Sequence, residues 1–275
     1  MKKRWFAAFI LPGFAGVFCF VLLPFADVLR CSFMTAVTGE FVGIYNYRRV
    51  FENEAFRLAV KNTARFTAVC LPLLIFLGLL TALLLAGLKQ AQTLKAIFLF
   101  PMAMPAATIV LVWKMVFSKG GFLNALMGRQ IDFMGTDLSF WVLVFSYVWK
   151  NLGYTVVLWL AGILGVPSDI IEAAKADGAG KIRIFLSVLM PQLKGVFYTI
   201  AVLSVLNSFK VFREAYLVAG AYPQESMYLL QHLFNNWFVW LELDKMAAAA
   251  VCLAAALLIL ILLLTRLWEE GEAAG

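Results

Sequence analysis

Asp177-Gly178-Ala179-Gly180-Lys181 comes nearest in this chain to a phosphate-binding loop, and it fails as one. Such a loop needs a glycine five positions before Gly180 and a hydroxyl residue after Lys181, where Lys175 and Ile182 stand. No other stretch carries that pattern, a nucleophile elbow or a calcium loop. His232 is the only histidine, which leaves no basis for a histidine metal site or triad. Cys19, Cys31, Cys70 and Cys252 lie in or beside apolar runs without metal-ligand spacing and read as small hydrophobes. No catalytic residue, metal or cofactor is expected, and the chain is not read as an enzyme.

The chemistry that remains is recognition of a polar solute. Tyr147, Lys150, Asn151 and Tyr154 follow i, i+3/i+4, i+7 spacing and share one face of a helix. Ser204, Asn207 and Ser208 repeat that spacing in a later apolar segment. Aromatic faces stack on sugar rings, and amide or hydroxyl groups bond sugar hydroxyls, so the set suits the lining of a path for a polyhydroxy solute. Bonding between packed helices is the competing use of the same side chains. Lys150, Lys210, Arg213 and Glu214 also fall within apolar segments, with Lys114 nearer an end. Charges there are costly in lipid, so each points to function or to internal pairing, while Lys114 can snorkel to a headgroup.

Such residues need a scaffold embedded in a membrane. The 275-residue chain is 63% hydrophobic and 14% charged, with mean hydropathy +0.89, which describes an all-α membrane protein rather than a soluble domain. Its +7 charge does not indicate nucleic acid, because Lys and Arg are dispersed as flanks of apolar spans. Six segments reach the roughly 20 residues a transmembrane helix requires. They lie near 5–29, 62–87, 95–117, 139–164, 196–219 and 245–267. Pro12, Pro24, Pro72, Pro101 and Pro105 interrupt them, tolerably where neighbouring helices satisfy the freed backbone. The run from Trp5 to about Leu29 is too long for a signal-peptide core and reads as a retained first span. With no internal repeat or linker, residues 1–275 read as one membrane domain. Lys2, Lys3 and Arg4 place the N-terminus in the cytoplasm. Six spans then put the 88–94 loop with Lys89, the 165–195 loop and the C-terminus on that side.

Between spans four and five the chain reads EAAKADGAGKIRIFLSVLMP, from Glu172 to Pro191. Pro167 suits the first turn of a helix. Ala173, Ala174, Ala176 and Ala179 give that helix a smooth surface another protein can approach. Asp177-Gly178 breaks it and Gly180 adds a second joint. Ile182, Phe185 and Val188/Leu189 then recur at helical spacing, so a second short helix can lay its apolar face on the bundle.

This Glu-Ala-Ala, Gly178, Pro191 pattern resembles the EAA loop of permease subunits in binding-protein-dependent ABC importers. Further stretches are similar to carbohydrate-type members of that family: Phe41-Val42-Gly43-Ile44-Tyr45-Asn46-Tyr47, Phe56, Asn62-Thr63, Pro101, Pro105, Trp113, Phe117, Gly121, Asn124, Trp149-Lys150, Leu160-Ala161-Gly162, Ser208-Phe209 and Gly220-Ala221-Tyr222-Pro223. Ala221-Tyr222 departs from the glycine pair usual before that proline. The resemblance is to the F-type half of maltose-type pairs, without the extra N-terminal spans and large periplasmic insertion.

The resemblance implies a multi-pass permease subunit in a bacterial plasma (inner) membrane, in contact with lipid and forming the path of a carbohydrate or related polar solute. The implied partners are a second homologous permease subunit, two cytoplasmic ATPase subunits and an extracytoplasmic solute-binding protein. Glu172, Ala173, Ala174, Asp177, Gly178 and Pro191 would couple the loop to the ATPase. Tyr147, Lys150, Asn151, Tyr154, Ser204, Asn207 and Ser208 would line the path. The rival class is an ion-coupled secondary transporter, for which Glu214 is the one convincing acid inside a span.

Overall fold

The computed structural model describes residues 2–88 and 91–273, and the expectations resting on Lys89 and on the side chains of Lys2, Lys3 and Arg4 lie outside what it describes. The described residues fold into helices joined by turns. Among the described residues, six stretches are long and apolar enough to cross a membrane: Phe9–Cys31, Glu54–Ala86, Ala106–Met127, Leu138–Gly165, Lys194–Ala219 and Leu243–Arg266. Two compact units are distinguished, one from Met1–Arg57 with Leu233–Ile259 and one from Leu58–His232 with Leu260–Gly275.

In the first unit, α1 (Lys2–Val17) passes through a π turn at Phe18–Leu22 into α2 (Leu23–Cys31). Pro24 explains the widened turn. A proline ring collides with the carbonyl four residues back and lacks an N–H, and one extra residue in the turn relieves the collision. After α2 the chain turns back, and α3 (Tyr45–Glu52) follows. Asn46 is fully buried, and its Nδ2 donates to the Ser32 and Met34 carbonyls at 3.1 and 2.8 Å. That amide therefore closes the turn leading into α3. Phe56 stacks on Trp237 of α14 (Leu230–Val239), with ring centroids 6.4 Å apart.

The second unit is organised around α8 (Leu138–Gly165), which packs against α4 (Glu54–Ala86), α5 (Ala91–Ala103) and α12 (Lys194–Ser208). Small residues permit the close crossings, as expected where no hydrophobic drive separates helix from lipid. A Cβ on Gly153 would lie 1.9 Å from the Phe98 carbonyl oxygen of α5, so no side chain fits there. Gly78 of α4 meets Thr155, and Gly162 meets Val196 of α12 in the same way. Trp159, fully buried, donates from Nε1 to the Ile75 carbonyl at 3.2 Å. Asn62 Nδ2 donates to the Glu225 and Tyr228 carbonyls at 2.6 and 3.0 Å, while Thr63 Oγ1 accepts from Leu230 N–H at 3.0 Å. The Asn-Thr pair thus anchors the segment before α14.

The third span corrects the sequence reading. The sequence reads as one span over 95–117, whereas α5 ends at Ala103 and α6 (Ala106–Phe117) starts after a break. Pro105 cannot donate, and it drives the preceding Met104 away from helical geometry. Met104 N–H closes α5 on the Pro101 carbonyl at 3.3 Å, and Pro105, at ψ 141°, starts α6. A short helix α7 (Phe122–Met127) follows, its loop knotted by Asn124, which bonds the Ser118, Lys119 and Ile131 carbonyls. Span five is interrupted too: after α12 comes a 3₁₀ turn at Phe209–Val211, then α13 (Phe212–Ala219).

Candidate functional site

Both interruptions border one cavity of about 160 Å³. Met102 lines it beside the α5–α6 break, and Lys210 and Val211 line it from the 3₁₀ turn. The middle of the 28-residue α8 contributes Ser146, Tyr147, Lys150 and Asn151. Asn207 of α12 and Glu214 of α13 complete the wall. Irregular backbone inside a membrane span is tolerated where it is buried in protein or lines a cavity, which fits both breaks.

The Lys150 ammonium donates to Glu214 Oε1, joining α8 to α13 across this cavity. Glu214 is 7% exposed and Lys150 23% exposed, so little water screens the pair. Sequence reasoning singled out both charges without pairing them. Arg213, the neighbouring charge, is exposed instead.

The seven solute-lining candidates divide. Tyr147, Lys150, Asn151 and Asn207 face the cavity, whereas Tyr154, Ser204 and Ser208 are outside its lining. Tyr147 is buried, and its hydroxyl donates to the Ser204 carbonyl at 2.8 Å while its ring meets Phe66 edge-on. Tyr154 hydroxyl and Ser204 Oγ are 2.6 Å apart. Ser208 Oγ donates to the Val205 carbonyl at 2.7 Å and sits 3.1 Å from Thr67 Oγ1. These hydroxyls are occupied by helix-to-helix or local bonds. Asn151 Nδ2 bonds the Tyr147 carbonyl at 2.9 Å, leaving its carbonyl oxygen and second N–H to the cavity. Ser146 and Met102 were not singled out from sequence. Ser146 accepts from Trp113 Nε1 at 2.6 Å, a bond no one-dimensional pattern announces.

A second, larger cavity of about 510 Å³ is lined by Trp113, Lys114, Tyr222 and Gln224, among others. Between the two lies a void of about 10 Å³, barely room for one water, walled by Met134, Val142, Leu143, Val218 and Met227. It shares Ser146 and Glu214 with the first cavity and Trp113, Met134 and Val218 with the second. Two chambers, each with polar and apolar groups on its wall, are therefore separated by an apolar constriction.

Beyond α8 the chain forms α9 (Ser168–Ala176), α10 (Lys181–Ile184), a π turn at Phe185–Leu189 and α11 (Met190–Gln192). Helix α9 ends in a Schellman motif. Ala179 N–H bonds the Ala174 carbonyl and Gly178 N–H the Lys175 carbonyl, each at 3.0 Å, with Gly178 at φ +79°. No atom lies within 4 Å of a Cβ built on Gly178, so it is the left-handed backbone and not crowding that selects glycine. Glu172, Ala173, Asp177, Gly178 and Pro191 are exposed and Ala174 is half-buried. The π turn again precedes a proline, Pro191, as it does at Pro24. Leu189 and Leu193 anchor the far end of the segment in the core with Trp159 and Leu160.

Residues 74–269 match the family described as the inner membrane component of binding-protein-dependent transport systems. The chain belongs to this family. The trehalose/maltose transport system permease protein MalF of Thermococcus litoralis is 31% identical to this permease over 240 residues, covering 83% of this chain and 81% of that one. The diacetylchitobiose uptake system permease protein NgcF of Streptomyces coelicolor is 29% identical over 281 residues, 92% of this chain and 78% of that one. Among solved structures, a bacterial ABC transporter involved in the import of the acidic polysaccharide alginate has the same fold, with a TM-score of 0.84 at 18% identity over 98% of this chain and 96% of that one. The permease is a multi-pass membrane protein, and ion-coupled secondary transport is not favoured by these relatives.

Proposed function

We propose that this permease forms the path of a carbohydrate or related polar solute in an ABC importer of the bacterial plasma membrane, with residues 1–275 acting as one domain. It pairs with a second homologous permease subunit, two cytoplasmic ATPase subunits and an extracytoplasmic solute-binding protein. The N- and C-termini and the α9–α11 segment face the cytoplasm, where that segment docks on an ATPase. The observation that carries this reading is the exposed α9 helix, presenting Glu172, Ala173 and Asp177 and closed by left-handed Gly178, on a base buried through Leu189 and Leu193. A rigid base and a protruding helix make a lever. ATP binding closes the ATPase pair, and its greater affinity for the closed state shifts the permease between access states. Tyr147, Lys150, Asn151 and Asn207 line the solute's station, with Tyr154, Ser204 and Ser208 holding the α8–α12 contact behind it. The carbohydrate assignment rests on relatives whose names specify trehalose/maltose and diacetylchitobiose. Native mass spectrometry of the gently solubilised complex tests the assembly. The expected species holds this chain, a second permease and two ATPase copies; a chain that purifies alone from a transport-competent membrane would overturn it.

A further inference from the structure

We infer that the solute carries a negative charge, making it an acidic sugar or a sugar phosphate whose anionic group is met by Lys210. This rests on the carbohydrate reading above and narrows it. Lys150, Lys210 and Glu214 are the charged residues on the cavity wall. Glu214 is committed to Lys150, which leaves one ammonium over, and Lys210 has no acid within ion-pair distance among the described residues.

The position of Lys210 excludes the usual escape. It sits on the 3₁₀ turn at Phe209–Val211, and the helix beyond continues to Ala219. That stretch is roughly 13 Å of helix at 1.5 Å per residue, more than a lysine stem spans to bring its head to the membrane surface. Lys210 is exposed and also lines the cavity, and a cation at the middle of a span has an anion as its natural complement. The neighbouring groups suit a sugar acid. Asn151 and Asn207 offer amides to ring hydroxyls, and the Lys150–Glu214 pair offers an acceptor and donors beside them. A neutral sugar would leave the Lys210 charge uncompensated when it displaced water from the cavity, whereas an acidic one would neutralise it.

The test uses the complete permease–ATPase complex in nanodiscs without the solute-binding protein, so that only the membrane site selects. The probes are a galacturonic acid trisaccharide, a neutral galactose trisaccharide of equal length, and glucose 6-phosphate. At least tenfold tighter binding of an anionic probe than of the neutral one is expected, shrinking as potassium chloride is raised, because salt screens the attraction. The uronate and phosphate arms separate the two sources of charge. In Lys210→Gln the ratio should fall towards one, and in Lys210→Arg it should persist. Equal binding of charged and neutral probes overturns the charge inference and leaves the carbohydrate reading intact. Absence of binding by all three overturns both. If Lys210→Gln instead dissociates the complex while the unmodified complex shows no charge preference, Lys210 pairs with a carboxylate of the partner subunit and the inference is wrong.

Discussion

Lys150 and Glu214, 64 residues apart in sequence, are bound to each other across the cavity and tie α8 to the half of span five beyond its 3₁₀ turn. The pair fixes α13 to α8, in addition to the packing of α13 against α6. Removing a single partner should therefore cost roughly 3 kcal/mol, because it strands a largely buried charge. Lys150→Met and Glu214→Gln are each expected to lower the melting temperature of the purified complex. The reversed pair, Lys150→Glu with Glu214→Lys, should recover part of the loss. Full additivity of the two single changes would mean that the groups do not interact.

Gly178 tests the proposed docking segment. Its φ of +79° costs a β-branched residue about 1–3 kcal/mol, while asparagine tolerates that region. Gly178→Val should insert and fold yet lose ATPase association, and Gly178→Asn should retain most of it. Normal coupling in Gly178→Val would make the segment a mere connector.

Gly153 tests the packing of α8. A methyl group there meets backbone, 1.9 Å from the Phe98 carbonyl oxygen, so α5 must move. Gly153→Ala is expected to destabilise the permease, whereas Gly195→Ala, with no atom within 4 Å of its Cβ, should be near neutral. Thermal melts of the two variants side by side give the comparison.

His232 gives a pH dependence. It is fully buried, its Nδ1 accepts from Leu229 N–H at 3.2 Å, and its Nε2 has no partner among the described residues. Burial lowers its pKa to about 4. The folded chain binds this proton less readily than the unfolded chain, so the stability is fully present above about 6.5, the ordinary histidine value, and is lost as pH falls from there towards 4. The loss should be on the order of 3 kcal/mol at the acid end. Melting curves from pH 7.5 to 4.5 should flatten in His232→Phe; an unchanged slope would place the acid sensitivity elsewhere.

Cavity variants separate lining from packing. Asn151→Leu should lower solute affinity up to roughly tenfold, the worth of one or two hydrogen bonds, with assembly unchanged. Tyr147→Phe removes the bond to the buried Ser204 carbonyl and should lower stability more than affinity. The reverse order of effects would exchange their roles.

The spans were legible because lipid imposes a length and an apolarity that hydropathy reads directly. The turn at Gly178 was legible because asparagine, aspartate and glycine chemistry is local. The break before Pro105 was not: a proline in a span either kinks or ends the helix, and the choice belongs to neighbours that re-satisfy the backbone. The 3₁₀ turn at Phe209–Val211 carries no breaker residue at all. Helical spacing puts Tyr147, Lys150, Asn151 and Tyr154 at related positions of α8, but contacts with α12 decide which of their polar atoms are occupied. The Lys150–Glu214 pair was beyond reach for the same reason: 64 residues apart in sequence, its members meet only in three dimensions.

The most direct measurement is uptake of a labelled oligosaccharide into proteoliposomes containing the permease pair, the ATPase subunits and the external binding protein, with ATP either enclosed or omitted. Uptake is expected only with enclosed ATP, unaffected by ionophores that collapse proton and sodium gradients, and abolished by Gly178→Val. Uptake by this chain without the ATPase, driven by an imposed ion gradient, would contradict the account.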